Sequence, residues 1–126
     1  MINSHNAAKW FIREIPSLAG GHIDENTRIN KLLYFANLLC FCHTGDNLFD
    51  EDFIGFPNGP VIYSVYRDYR YNGLDQYPQK IDQIEPESLK YLEIIKFIYG
   101  DQDALQLVDE SHSHNIWKEI EPLIEI

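Results

Sequence analysis

The sequence predicts a mainly α protein, a compact single domain of five or six helices around a central apolar helix at about residues 27–44. A length of 126 residues is typical of one domain, here residues 1–126. Hydrophobic residues make up 44% of the chain and aromatic residues 13%, which is too apolar for a disordered segment. Residues 32–42 are apolar on almost every side, as expected for a helix buried in a core.

The first two helices have recognisable start and stop signals. Ser4 or Asn6 is predicted to cap the first helix, because short polar side chains bond the free N–H groups of the first turn. Pro16 is predicted to end it. Asp24 or Asn26 is predicted to cap the central helix in the same way.

The middle of the chain combines turn signals with a short apolar run, which predicts one short strand or hairpin near residues 53–57. Gly59 and Pro60 follow. Pro60 is predicted to occupy the first position of a third helix, where its missing N–H costs nothing, and Gly73 to end that helix.

The remaining helices are also delimited by proline and glycine. Pro86 and Gly100 are predicted to bound a fourth helix, and residues 104–110 a short fifth one. A last turn or two is predicted between a cap at Asn115 and Pro122.

The charge is strongly acidic and uneven. The chain has 10 basic and 20 acidic residues, a net charge of −10. Residues 1–73 carry 6 basic and 8 acidic groups, whereas residues 74–126 carry 4 and 12. Such an acidic second half is repelled by phosphate backbones, so direct nucleic-acid binding is not expected. It favours association with a basic partner, or serves only to keep the protein soluble.

The sequence predicts a cytoplasmic protein, because signals for other locations are not expected in it. No apolar stretch reaches 18 residues, so no membrane span is expected. The first residues lack a basic segment followed by an apolar run, so no secretory signal peptide is expected. The two cysteines, Cys40 and Cys42, are too few for a disulfide framework and are interpreted as reduced thiols.

No enzymatic motif is present, so we expect no catalytic residue, no cofactor and no metal. Cys40 and Cys42 point about 200° apart on a helix and cannot hold one ion together. His112 and His114 would need ligands from elsewhere. The acidic run at residues 50–52 is interpreted as a solvated turn, because consecutive carboxylates diverge.

Two helical faces are candidates for binding a partner. On the third helix, Tyr63, Arg67 and Arg70 lie on the face opposite the apolar one, and Tyr and Arg are enriched in binding hot spots. The alternative is an ordinary solvated helix face. The second candidate is the partly polar side of the central helix, unless another helix covers it. Its residues are Asn30, Tyr34, Asn37 and Phe41, of which the last three are the candidates for partner contact.

Four stretches of the chain, in order, resemble the Panacea antitoxin domain family, the SocA-like or GepA-like phage-associated proteins. Residues 28–36, RINKLLYFA, resemble the family's KLQKLLYYA, and residues 48–51, LFDE, are identical to its LFDE. Residues 59–66, GPVIYSVY, resemble its GPVVPSVY. Residues 107–112 with Trp117 and Lys118 resemble its last motif. Where the family has Trp-Lys-Tyr before Gly-Pro, residues 56–58 are Phe-Pro-Asn.

The resemblance implies a mostly helical antitoxin that neutralises a co-encoded toxin by direct protein–protein contact. One branch of the family also delivers its toxin to a protease as an adaptor. The partner expected here is therefore a protein toxin, and the oligomeric state stays open. The alternative is a phage or mobile-element protein that inhibits a host defence complex, with its acidic surface acting as a nucleic-acid mimic.

Overall fold

A long central helix organises the fold. The computed structural model describes residues 1–71, 74 and 84–112. Within them lie five α-helices: α1 (Ser4–Glu14), α2 (Ile23–Thr44), α3 (Tyr63–Arg70), α4 (Pro86–Tyr99) and α5 (Ala104–His112). A 3-10 helix, Pro16–Gly20, joins α1 to α2, and a hairpin of β1 (Ile54–Phe56) and β2 (Gly59–Val61) precedes α3.

The core forms around α2, which packs against every other helix and against β2. Most of its middle is buried, including Leu33 and Phe35, and the Phe35 ring lies 4.7 Å from that of Tyr99 on α4. This confirms the prediction of a mainly α fold around a central apolar helix. The short hairpin predicted near residues 53–57 is also present.

The predicted cap of α1 is wrong by one position. Asn3 is the cap, and its side-chain oxygen accepts a hydrogen bond from the backbone N–H of Asn6 at 3.1 Å. Ser4 is the first residue of the helix, and its hydroxyl donates to Glu51 at 2.7 Å instead of capping. The helix does end before Pro16, which begins the 3-10 helix.

The central helix begins earlier than predicted, at Ile23 instead of about residue 27. His22 occupies the cap position without a side-chain hydrogen bond. Asp24 therefore lies in the first turn, where a carboxylate favours the positive end of the helix dipole. Asn26 is buried in the second turn.

The prediction that Gly59 and Pro60 start a helix is wrong. Both belong to β2, and Gly59 pairs with Phe56 across a two-residue turn of the hairpin. Gly59 has a φ of 106°, a conformation that helices do not contain and that only glycine adopts easily. The helix begins instead at Tyr63.

The predicted boundaries of α4 and α5 agree better with the structure than those of the earlier helices. Pro86 begins α4 and Gly100 follows its last residue, as predicted, while α5 runs two residues beyond residue 110. The predicted end of α3 at Gly73 is wrong, because the helix ends at Arg70 and Tyr71 is its C-cap. The last turns predicted between Asn115 and Pro122 lie outside the described residues.

Candidate partner-binding surface

The outer face of α3 carries the three residues predicted for partner binding. Tyr63 is 50% exposed, and Arg67 and Arg70 are also exposed. Val65 and Tyr69 point the other way and are buried in the core. The structure therefore brings Tyr63, Arg67 and Arg70 together on one solvent-facing stripe.

The hairpin enlarges this stripe with apolar side chains that are not among the residues predicted for partner binding. The Phe56 ring lies 6.4 Å from the Tyr63 ring and 5.0 Å from the Tyr66 ring. Ile54, two residues earlier on the same strand face, is exposed. We call these residues the hairpin surface: Ile54, Phe56, Tyr63, Tyr66, Arg67 and Arg70. The apolar run at residues 53–56 is the sequence signal for Ile54 and Phe56, but its pattern predicts only a strand and not a binding surface.

Two small cavities flank the hairpin surface. One, of about 220 Å³, lies between the start of α2, the hairpin and Tyr66. The other, of about 300 Å³, lies beside Arg70 at the junction of the 3-10 helix and α2. Both are lined by Ile23, which is 59% exposed. Both lie at or below the lower end of the usual size range of small-molecule sites, a size that suits single side chains of a protein partner.

A buried lysine holds the hairpin against α2. Lys31 is fully buried, and its Nζ donates to the carbonyl oxygen of Pro60 at 2.6 Å. Burial lowers the pKa of Lys31 to about 8. A Cβ on residue 59 would lie 2.9 Å from Lys31 Cε. β2 can therefore pack this close to the Lys31 side chain only because residue 59 is glycine.

Two buried asparagines continue the attachment from α2 to α3. The Asn30 side-chain oxygen accepts from the backbone N–H of Ile62 at 3.0 Å, and its amide donates to Asn26 at 3.0 Å. Asn26 in turn donates to the carbonyl of Tyr66 at 2.9 Å. The polar residues that interrupt the apolar pattern of α2 thus position the backbone under the hairpin surface.

Arg67 is oriented by its neighbour. Its Nε donates to Asp68 Oδ1 at 3.0 Å, while Asp68 Oδ2 lies 2.8 Å from the buried His5 ring. Burial raises the pKa of Asp68, but hydrogen bonds from Arg67 and His5 outweigh it and hold the pKa below its usual value. The carboxylate therefore stays ionised at neutral pH and links the guanidinium to α1.

The acidic run at residues 50–52 is only partly the solvated turn that was predicted. Asp50 and Asp52 are exposed. Glu51 is half-buried and accepts from Ser4 at 2.7 Å and from Ser64 at 2.6 Å. It connects α1 to α3, so the prediction is wrong for this residue.

The second predicted patch, on α2, does not form one open surface. Asn37 bonds the side chain of Asn47 at 3.1 Å and the backbone N–H of Leu48 at 2.8 Å. Tyr34 packs edge-on against Phe53, 5.5 Å between ring centroids, and burial raises its pKa. The loop that follows α2 covers both residues, and Phe41 alone remains 50% exposed.

The cysteines occupy packing positions. Cys40 is buried and Cys42 is half-buried, and burial raises the pKa of the Cys42 thiol. In the part of the chain that the structure describes, no group of three or more His, Cys, Asp or Glu residues is placed to hold a metal ion. His114 lies outside that part.

The class of protein follows from comparison with known families. A family model described as "Antitoxin SocA-like, Panacea domain" matches residues 29–118, and the chain belongs to this family of antitoxin domains. The match contains α2 from residue 29 onward, the hairpin and α3, and so the whole hairpin surface. No curated protein matches the chain, and no solved structure does.

Family membership supports an antitoxin-like role and a protein partner, and it agrees with a non-enzymatic function. None of the helices within the described residues is long and apolar enough to cross a membrane.

Proposed function

We propose that this protein neutralises a co-encoded toxin by direct contact through the hairpin surface, with Tyr63, Arg67 and Arg70 as anchors. The observation that carries the proposal is the grouping of exposed aromatic and arginine side chains around two cavities in an antitoxin domain. Tyr and Arg beside pockets are the usual composition of binding hot spots.

The support beneath this surface is already formed in the free protein. Lys31 and Asn30 fix β2 and the start of α3 through buried hydrogen bonds. Asp68 holds Arg67 in place. A preformed surface loses little conformational entropy on binding, which favours high affinity.

High affinity is required because a toxin must stay sequestered at cellular concentrations, and a nanomolar dissociation constant corresponds to about −12 kcal/mol. Arg67 and Arg70 form a basic stripe on a protein whose net charge is −10. An acidic area on the toxin would fit this stripe, while basic regions elsewhere on the toxin would be attracted to the rest of the chain.

We place this action in the cytoplasm, with residues 1–126 acting as one domain. Delivery of the bound toxin to a protease is a further role that this function allows. A host defence complex is the alternative target, reached through the acidic second half instead of the hairpin surface.

The test is rescue of cells that express the toxin encoded beside this gene. The test variant combines Tyr63→Ala, Arg67→Ala and Arg70→Ala, and the control combines Arg13→Ala and Leu105→Ala, two exposed residues outside the hairpin surface. We expect the control to rescue fully and the test variant to fail, with the folded state of both verified by circular dichroism.

Full rescue by a folded test variant would contradict the hairpin surface as the interface. Phe41, the exposed member of the second predicted patch, would then be replaced together with Tyr34 and Asn37. If the wild-type protein neutralises no neighbouring toxin but inhibits a defence complex, the alternative target is correct.

A further inference from the structure

β1 is the outer strand of the hairpin. β2 packs against α2, where the Lys31 ammonium group holds it, whereas Ile54 and Gly55 of β1 are exposed. Within the described residues the sheet has only these two strands. The side of β1 that faces away from β2 is therefore a sheet edge that no other strand covers in this part of the chain.

The register of the hairpin determines which backbone groups point outward from this edge. Phe56 pairs with Gly59 beside the two-residue turn, and the next pair is Gly55 with Pro60. In an antiparallel ladder, pairs that exchange hydrogen bonds alternate with pairs that do not, and the pair beside a two-residue turn is of the first kind. The Gly55–Pro60 pair is therefore of the second kind, so the N–H and C=O of Gly55 point away from β2.

Pro60 gives independent support for this orientation. A proline has no N–H, so it fits a position where the ladder needs no donor from β2. Its carbonyl oxygen accepts from Lys31, on the side away from β1.

Gly55 thus presents one backbone donor and one backbone acceptor at the exposed edge. Neither group has a hydrogen-bond partner among the residues that the structure describes. A carboxylate or phosphate offers only acceptors and would leave the C=O unmatched. An extended polypeptide offers both a C=O and an N–H with the spacing of a strand, and such segments commonly add to exposed sheet edges.

The edge is continuous with the hairpin surface. Ile54 and Phe56 flank Gly55, and side chains two residues apart lie on the same face of a strand. On that face the Phe56 ring lies 6.4 Å from the Tyr63 ring, and Ile54 is 43% exposed. A strand added to β1 would place alternate side chains beside Ile54 and Phe56, where apolar residues would be buried.

Charge favours a different protein over a second copy of this chain as the occupant. Two copies each carry a net charge of −10 and repel one another. Asp50 and Asp52, just before β1, are exposed, so a segment with a basic residue near its apolar ones is complementary to this edge.

We propose that the toxin adds an extended segment to the hairpin as a third strand, beside β1. The N–H of Gly55 donates to a backbone carbonyl of this segment, and the C=O of Gly55 accepts from one of its N–H groups. Apolar side chains at alternate positions of the segment pack on Ile54 and Phe56. This inference rests on the proposed function, because it describes how the toxin engages the hairpin surface.

The test uses the full chain and the purified toxin encoded beside its gene. Gly55→Pro removes the outward N–H, and proline is tolerated in an edge strand where the N–H makes no ladder bond. Gly55→Ala is the matched control, because it keeps both backbone groups and its Cβ would meet no atom within 4 Å.

Calorimetric titration should show binding weaker by about tenfold or more for Gly55→Pro, because a carbonyl of the toxin loses its donor. Gly55→Ala should bind within about twofold of the wild type, as exposed substitutions usually do. Circular dichroism verifies that both variants fold.

Amide hydrogen exchange of the wild-type protein gives a second measurement that needs no variant. The Gly55 N–H should exchange rapidly in the free protein and become protected in the toxin complex. Protection already present in the free protein would mean that another part of the chain or a second copy occupies the edge, and this would overturn the proposal.

The proposal is also wrong if folded Gly55→Pro binds as tightly as the wild type, or if the Gly55 N–H stays unprotected in the complex. The combined Tyr63→Ala, Arg67→Ala and Arg70→Ala variant separates this result from the proposed function. If that variant loses binding while Gly55→Pro does not, the hairpin surface remains the interface and only the third strand is refuted. If the wild type binds no toxin, both proposals are refuted.

Discussion

The ammonium group of Lys31 donates to the carbonyl oxygen of Pro60 over 2.6 Å, from inside the core. This contact joins the central helix to the strand that supports the hairpin surface. Its geometry depends on Gly59, whose missing side chain leaves room for the lysine stem. A charged group in such surroundings lowers the stability of the fold while it fixes one arrangement of the hairpin.

The pH dependence of stability should reveal this buried lysine. Its pKa is about 8 in the folded protein and 10.5 in the unfolded chain, so between these values the unfolded chain binds more protons. The free energy of unfolding therefore rises with pH in this window, by about 1 kcal/mol from pH 8 to pH 9. Urea unfolding of the wild type and of Lys31→Met at several pH values measures this contribution.

Comparing wild type with Lys31→Met cancels the contribution of the other titrating groups to the pH dependence of stability. The raised pKa values of Cys42 and of the tyrosines affect both in the same way. Parallel stability curves for wild type and Lys31→Met over this range would show that Lys31 keeps an ordinary pKa.

The central helix should be sensitive to loss of volume. Leu33 is fully buried in the core, so Leu33→Ala should lower the free energy of unfolding by about 2–5 kcal/mol. Leu105→Ala, at a site that is 71% exposed, should change it by less than about 0.5 kcal/mol. Chemical denaturation provides both values, and a cost below about 1 kcal/mol for Leu33→Ala would mean that Leu33 is not part of the packed core.

Asp68 should act on toxin binding without touching the toxin. Asp68→Asn removes the ionised acceptor that holds Arg67, so binding should weaken while the arginine remains present. The substitution also removes the carboxylate that lies 2.8 Å from His5 Nε2, and stability at pH 7 should fall by about 1–3 kcal/mol.

The stability difference between wild type and Asp68→Asn should depend on pH in the acidic range. The folded-state pKa of Asp68 lies below its ordinary value of 3.8, so its stabilising contribution is present above that value. The contribution is lost as the pH falls through the folded pKa. A difference that stays constant from pH 6 to pH 2 would argue against an ionised, hydrogen-bonded Asp68.

Arg70 tests whether the interface recognises arginine geometry or charge alone. An arginine that binds a partner carboxylate with two parallel hydrogen bonds is not replaced by lysine. Arg70→Lys should therefore weaken toxin binding nearly as much as Arg70→Ala, by about 2 kcal/mol if Arg70 is a hot spot. Calorimetric titration with the purified toxin gives both values, and full affinity of Arg70→Lys would reduce its role to simple charge.

The apolar pattern of residues 32–42 was enough to predict the central helix, because a segment that is apolar on all sides is stable only inside a core. The two ends of α4 were also predictable from sequence, because Pro86 and Gly100 begin and end the helix through local backbone geometry. The Tyr63, Arg67 and Arg70 stripe also followed from sequence, since helical spacing alone places these residues on one face.

Tertiary contacts determined the features that the sequence did not predict, namely the strand at Pro60 and the buried position of Glu51. Pro60 is locally suited to begin a helix, but pairing between Gly59 and Phe56 and the bond from Lys31 hold it in a strand. Glu51 becomes a half-buried link because α1 and α3 each bring a serine hydroxyl to it. Such outcomes depend on residues far apart in the chain, whose approach is determined by the packing of whole helices and is not encoded in any local pattern.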